Sequence, residues 1–324
     1  MSEILKRKFN IGIGKESVRG TKVAPAIWLK PTSEDFNDQA EVVATERSMG
    51  IIEDSDDQVV VKKFASGVIG GEIFDKSFGY FLLGALGQVS SAESADSGVY
   101  DHTFTVLQSA QHPTLTLEIK RGDIEQKAYP NAVIENLKIS SAVNQYVMFE
   151  ADIRAKTGET ASNSPSYVVE NYFLAKDISV KLADAYDDLG SAEAIDVKSV
   201  DIEIAKNIED DDVLGTDGPS DFLNKQMVIE GTMVLNFATI YEKNYMLDGT
   251  TKAMRIAMAN TDVTIGATSN PELVVDLAKV KFSEAPITGG NNDIAQIEVK
   301  FKAFYSSDEA FSIKAILTNL QASY

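Results

Sequence analysis

Two histidines and no cysteine in 324 residues leave little nucleophilic or metal-ligating chemistry to build from. Thiol catalysis, disulfide cross-links and Cys-ligated zinc are excluded by composition. A Ser–His–Asp relay could be drawn through His102, in Tyr100-Asp-His-Thr-Phe104, or through His112 ahead of Pro113. No Gly-x-Ser-x-Gly elbow accompanies either, and both read as ordinary strand-end histidines. Gly12-Ile-Gly14-Lys15 invites a phosphate-loop reading, but Glu16 follows the lysine where Ser or Thr is required, so the segment reads as a flexible arm. Two acidic clusters, Ile52-Glu-Asp-Ser-Asp-Asp57 and Ile208-Glu-Asp-Asp-Asp212, offer the hard oxygen ligands that calcium takes. Neither has the alternating-Asp-then-Gly spacing of a calcium loop, and both read as solvated. With forty-nine Asp and Glu, no facing carboxylate pair of the glycosidase kind can be singled out. The sequence therefore assigns no catalytic residue, no metal and no cofactor, and the chain reads as a non-enzyme.

Charge narrows the partners. Thirty Lys and Arg against forty-nine Asp and Glu leave a net charge of −19, which disfavours non-specific binding to nucleic acid or an anionic membrane. Basic and aromatic residues are not interleaved as on a nucleic-acid platform. The N-terminus has basic residues without a following apolar region, so it does not read as a secretory signal. The longest apolar stretch, 78–87, is about half the ~18 residues that span a bilayer and carries three glycines.

The elements that must position any functional residue are strands. Val200-Asp-Ile-Glu-Ile204, Leu115-Thr-Leu-Glu-Ile119 and Phe149-Glu-Ala-Asp-Ile153 alternate with period two, which gives one buried and one wet face. Trp28 lies on an apolar strand and reads as core. Two stretches look helical, 76–86 and 239–259, the second broken at Gly249. The length predicts about two domains, and an internal similarity supports that number. Val68-Ile69-x-Gly71 matches Val228-Ile229-x-Gly231, each running into its half's helical stretch. Val42 and Ala44 fall on Ile202 and Ile204, and an acidic cluster follows each pair. His112-Pro-Thr-Leu-Thr-Leu117 corresponds to Asn270-Pro-Glu-Leu-Val-Val275, Lys138-Ile-Ser140 to Lys281-Phe-Ser283, and 149–156 to 297–303. The expected layout is an N-terminal arm (1–25), a first domain (26–158), a polar linker (159–175), a second domain (176–306) and a C-terminal segment (307–324).

Several stretches resemble one family. The opening Gly14-Lys-Glu-Ser-Val-Arg-Gly-Thr-Lys-Val-Ala-Pro25 with Trp28-Leu29 and Ser33-Glu34 is similar to the start of tail tube proteins, the major tail proteins of long-tailed, non-contractile bacteriophages. So are Gly70-Gly-Glu-Ile-Phe74 running into 78–87, His102-Thr-Phe-Thr, 108–113, Leu117-Glu-Ile-Lys-Arg-Gly-Asp123 and Ala128-Tyr-Pro130. The resemblance covers about residues 12–156, and the second half through the internal repeat.

It implies a mainly β fold of two tandem tube domains, each a two-sheet β-sandwich or small barrel with one flanking helix and a long loop. It also implies rings, trimeric and pseudo-sixfold for a duplicated chain, stacked into a hollow tube that conducts DNA. The implied partners are the chain itself and the tail terminator, distal tail and tape measure proteins; DNA transits without specific binding, and the chain binds no membrane. The implied location is the virion tail, after synthesis in the host bacterial cytoplasm. On this reading Glu118, Glu150, Asp152, Asp201 and Glu203 are candidates for a lumenal or polar face. Glu53, Asp54, Asp56 and Asp57, with Glu209, Asp210, Asp211 and Asp212, are candidates for ring-stacking loops, and the hairpin 122–130 is a third segment set outside the core. The rival from another class is a soluble two-domain β-sandwich that binds carbohydrate or acts as an adhesin.

Overall fold

The computed structural model describes residues 3–324, and its elements are almost all strands. The first half contains β1 (Phe9–Lys15), β2 (Ile27–Leu29), β3 (Ser33–Glu34), β4 (Asn37–Ala44), β5 (Gln58–Glu72), α1 (Phe78–Leu86), β6 (Gly87–Glu93), β7 (Tyr100–Val106), β8 (Leu115–Arg121), β9 (Glu125–Ala142) and β10 (Met148–Ala155). After β11 (Glu159–Thr160), the second half contains β12 (Ile178–Ala183), β13 (Ala194–Ile195), β14 (Val197–Asp211), β15 (Asp221–Asn236), α2 (Tyr241–Leu247), β16 (Lys252–Ala259), β17 (Glu272–Glu284), β18 (Ile287–Thr288), β19 (Gln296–Ala303) and β20 (Ile313–Asn319).

The longest strand, β9, links two layers. Its N-terminal part lies in one layer ordered β2–β1–β8–β9–β11. Its C-terminal part lies in another that runs β3 and β4, β5, β10, β9, β14, β15, β19 and the end of β17. The strand kinks between them, where Pro130 supplies no N–H and Asn131 takes φ 57°. Strand β17 does the same in the second half: its start pairs with β16 and β20, and its end pairs with β19. The short β18 pairs with β19, and the other strands extend the layer of β16 and β20, with β12 and β13 on one side and β7 and β6 on the other. One continuous apolar core runs through both halves, from Ile11 to Leu317.

The helices differ in their surroundings. All nine residues of α1 are buried, as expected of a helix that is apolar on every side, and Gly87 at φ 92° ends it. No residue of α2 is buried. The expected second helical stretch stops at Leu247: Gly249 turns the chain at φ 62°, and 252–259, with Ala, Met and Ile alternating inward, is strand β16.

Other expectations are corrected. Residues 9–15 are no arm, because Ile11 and Ile13 are buried in a strand held between β2 and β8. The glycines of that segment serve close packing, since a Cβ at Gly12 would lie 2.6 Å from Pro25 and one at Gly14 2.7 Å from the Ala24 carbonyl. The hairpin 122–130 is a tight turn at Gly122 followed by β9, with Ala128, Tyr129 and Pro130 buried. The C-terminal segment 307–324 contributes β20 to a sheet.

Two of the expected repeat matches agree with the pairing registers. Gly71 faces Phe149 as Gly231 faces Phe301, and Ile139 faces Phe149 as Phe282 faces Phe301. Phe149 therefore corresponds to Phe301, not to Ile297. The match of Val42 with Ile202 fails as well, for Ile202 faces Gly231 at the sheet centre while Val42 faces Val60 far out on a hairpin. The match of 112–117 with 270–275 fails because β8 precedes the layer-crossing strand and β17 is that strand.

Candidate functional site

Cross-strand neighbours in a sheet share a face, so the registers place polar side chains without ambiguity. Glu150 faces Lys138, Lys138 faces Glu203, Glu203 faces Glu230 and Glu230 faces Lys302. Asp152 and Asp201 lie two residues along from Glu150 and Glu203 and share that face. The opposite face is core: Ala151, Leu137, Ile139, Ile202, Ile204, Ile229 and Val299 are all buried. Four of the five candidate acids thus stand on one polar face that crosses both halves of the chain.

That face is of mixed charge. Lys138 sits between Glu150 and Glu203, while Lys302 binds Glu230 at 2.7 Å and Lys300 binds Glu284 at 2.9 Å. Partial burial pushes the Asp201 carboxyl above its ordinary range, against the pull of Lys138 and the Thr232 amide. The acids still outnumber the bases in the middle of the sheet. Lys138 was visible in the sequence as part of a repeat match, but only the register shows that it interleaves with the acids.

Glu118 does not join this face. It is fully buried on β8, opposite Ala128 and Gly12, and its carboxyl accepts from the Asn163 amide at 3.1 Å and the Asn163 side chain at 2.7 Å. It fastens the segment between the halves onto the first half. Alternation marked it as wet because β8 looks half-exposed in sequence, whereas the chain after β11 covers its second face.

The two acidic clusters both belong to long hairpins, β4–β5 and β14–β15. Glu53, Asp54, Asp56 and Asp57 lie in the exposed loop 45–57, where Arg47 approaches Asp56 at 3.6 Å. Glu209, Asp210 and Asp211 do not form a loop. They end β14, and Glu209 and Asp210, with Asp212 just beyond the strand, are met by cations: Lys225 on Glu209 at 2.8 Å, and Lys62 on Asp210 and Asp212 at 2.7 Å each.

The β14–β15 hairpin is docked against the first half by contacts that no motif announced. Arg19 grips Asp221 at 2.7 Å and donates to the Phe222 carbonyl at 2.6 Å, and the Asn224 amide donates to Ala110 at 2.8 Å. Lys206 is buried and donates to the Gly84 carbonyl near the end of α1 at 2.7 Å. Burial, and secondarily Arg19, lowers the Lys206 pKa to about 7. His112 beside it is lowered to about 4 by burial, then by Lys206, and its Nδ1 has no partner. Each is a single residue of ordinary type, so composition and spacing carry no trace of the arrangement.

His102 is also buried mid-strand, with Ser91 Oγ at 2.7 Å from Nδ1 and Asn319 at 3.2 Å from Nε2, an arrangement without a carboxylate to form a relay. Among the described residues no group of three or more His, Asp or Glu is placed to hold a metal ion, and no helix is long and apolar enough to cross a membrane.

No curated protein matches the chain closely enough to carry an argument. A family model described as phage tail tube protein matches residues 8–303.

Proposed function

From the premise that this chain belongs to the phage tail tube protein family and is a structural, non-catalytic subunit of a phage tail tube, we propose that it forms trimeric, pseudo-sixfold rings that stack into a hollow tube conducting DNA. The two tandem tube units are residues 26–158 together with β1, and 176–306 together with β20, joined by 159–175. Their strand pairings support this: in each half a layer-crossing strand, β9 or β17, joins a sheet containing the long hairpin to a second sheet, and the Gly71–Phe149 and Gly231–Phe301 pairs hold equivalent places. Tail terminator, distal tail and tape measure proteins are the expected partners. The tube is assembled in the bacterial host cytoplasm and ends in the virion.

The observation that carries the reading is the continuous sheet with one apolar and one polar face. Closed into a ring, such a sheet loses its open edges and presents its polar face to the lumen. Glu150, Asp152, Asp201 and Glu203 then face the passing duplex, with Lys138 set among them to limit the field. DNA phosphates are repelled and find few lysines to hold them, so the path stays slippery. A phage carrying Asp152→Lys and Asp201→Lys should assemble tubes of normal length by microscopy yet eject DNA several-fold more slowly, with the rate recovering at high salt. Unchanged ejection kinetics with normal tubes would remove this face from the lumen.

Ring stacking falls to the exposed 45–57 loop at the tip of the β4–β5 arm. Protease should cut within 45–57 in the free subunit and at least about tenfold more slowly in tubes. Equal cutting in both would show that the loop takes no part in stacking.

A further inference from the structure

The chain contains one finished junction between its halves and the two unfinished sides of another. In the finished junction, residues 136–142 of β9 pair antiparallel with 199–205 of β14: Ile139 faces Ile202, Lys138 faces Glu203 and Leu137 faces Ile204. The equivalent of β9 is β17, with Phe282 in the place of Ile139. Beyond Val280 this strand pairs only with β19, so the edge that β14 would cover is open. The equivalent of β14 is β3, since Glu34 faces Ile69 as Ile204 faces Ile229, and β3 pairs only with β5. Its outer edge has no strand partner either, only the Lys6 side chain on the Glu34 carbonyl, and a groove of about 1130 Å³ bordered by Lys6, Pro31, Thr32 and Glu34 lies beside it.

The covering elements show the same asymmetry. Inside the chain, the β14–β15 hairpin is docked on the first half, where Lys206 reaches the end of the wholly buried α1. The matching β4–β5 hairpin is covered by nothing along its valines: Val42 is 51% exposed, Val43 53% and Val59 53%. The matching helix, α2, has no buried residue. One face of α2 packs on the core through Tyr245 and Met246, and its outer face, with Tyr241 and Leu247 exposed, is uncovered. An apolar arm and a half-covered helix are what a second copy would bring to, and need at, such a junction.

We infer that the open edge of β17 in one copy, from Lys281 onward, pairs antiparallel with the edge of β3 in a second copy, repeating the internal register, so that Lys281 faces Ser33 and Phe282 faces Thr32, while the β4–β5 arm of the second copy covers the outer face of α2 of the first. The inference rests on the ring reading above and fixes which strands close the ring. The contact is heterologous, since the two surfaces differ and each copy carries both, and a constant rotation per step closes it.

The absence of cysteine makes the register directly testable. Both Ser33 and Lys281 are exposed, and facing positions in an antiparallel pair are within reach of a disulfide. Mild oxidation of an S33C/K281C variant in assembled rings should give covalent trimers on a non-reducing gel, and either single variant should give none. K138C/E203C tests the template and should close within one chain. In the unmodified protein, amide exchange at 32–35 and 281–283 should slow at least about tenfold on ring formation. Rings that form without the S33C/K281C link and without that protection would overturn the edge pairing and leave the tube reading standing. A chain that closes K138C/E203C but never forms rings would overturn both.

Discussion

Glu16→Ala is expected to cost about 4 kcal/mol of stability, the largest loss from any single polar side chain described above. The Glu16 carboxyl is buried just past β1 and accepts four hydrogen bonds. Oε2 takes the Gly20 amide at 2.7 Å and the Thr114 hydroxyl; Oε1 takes the Thr116 hydroxyl at 2.9 Å and the Asn131 amide at 2.8 Å. Alanine would leave all four donors buried without an acceptor and open a void between β1, β8 and the kink of β9. Glutamine tests the geometry more finely. Its oxygen can serve one pair of donors, but its NH₂ then points at a backbone N–H that cannot turn away, so an intermediate loss of about 2 kcal/mol is expected. Urea unfolding of the unassembled chain measures both, and an alanine variant with an unchanged midpoint would contradict the account. The residue whose identity excludes a phosphate loop is thus the one that pins the loop to the sheet.

Lys206→Met should act in the opposite direction and with a pH signature. A buried base whose folded pKa is lowered from 10.5 to about 7 opposes folding wherever the unfolded chain is protonated and the folded one is not. Above pH 10.5 neither form carries the proton and there is no cost. From there down to about pH 7 the cost grows by about 1.4 kcal/mol per unit, and below that it is full, at roughly 4–5 kcal/mol. Methionine removes this penalty but forfeits the bond to the Gly84 carbonyl, worth about 1 kcal/mol. The net expectation is a gain of about 3 kcal/mol at pH 6 that shrinks toward zero by pH 10, read from urea midpoints at the two pH values. A variant less stable than the parent at both would refute it. The fold keeps an uncompensated lysine at the place where the β14–β15 arm meets α1, which suits a contact that must seat the arm in one register.

Local pattern carried much of this architecture and none of its long-range pairing. Period-two runs at Val200–Ile204 and Phe149–Ile153 are legible because each strand has one dry and one wet face, and their acids do share a face. The same alternation at β8 misleads, since Glu118 is wet only if nothing covers β8, and what covers it is a segment some forty-five positions away. The anchors of the repeat, Gly71 with Phe149 and Gly231 with Phe301, combine a residue with no side chain and the ring that fills its space. Half of each pair is visible as a motif, whereas the partner is fixed only by register. Strand β16 was hidden for a plainer reason: Ala253, Met254, Ala257 and Met258 are good helix formers, and it is the sheet on either side that draws them into a strand. Arg19, Lys206 and Glu16 could not be singled out, because a buried polar residue is conspicuous only after its surroundings are folded.

The pairing of β7 with β20 has a consequence for synthesis. His102 and Asn319 meet across 217 residues of chain, and every strand of the second half is made between them. At about 5–20 residues per second a nascent first half would wait roughly 10–40 s for the strand that covers β7. Until then its sheet has an unoccupied edge, and the contact order of the closing step is high enough to make it slow. Ring-forming surfaces belonging to the second half come into being in the same interval. Completion of the subunit and competence to assemble are thereby tied to a single late event, so an unfinished chain on the ribosome has no complete junction to offer a finished one.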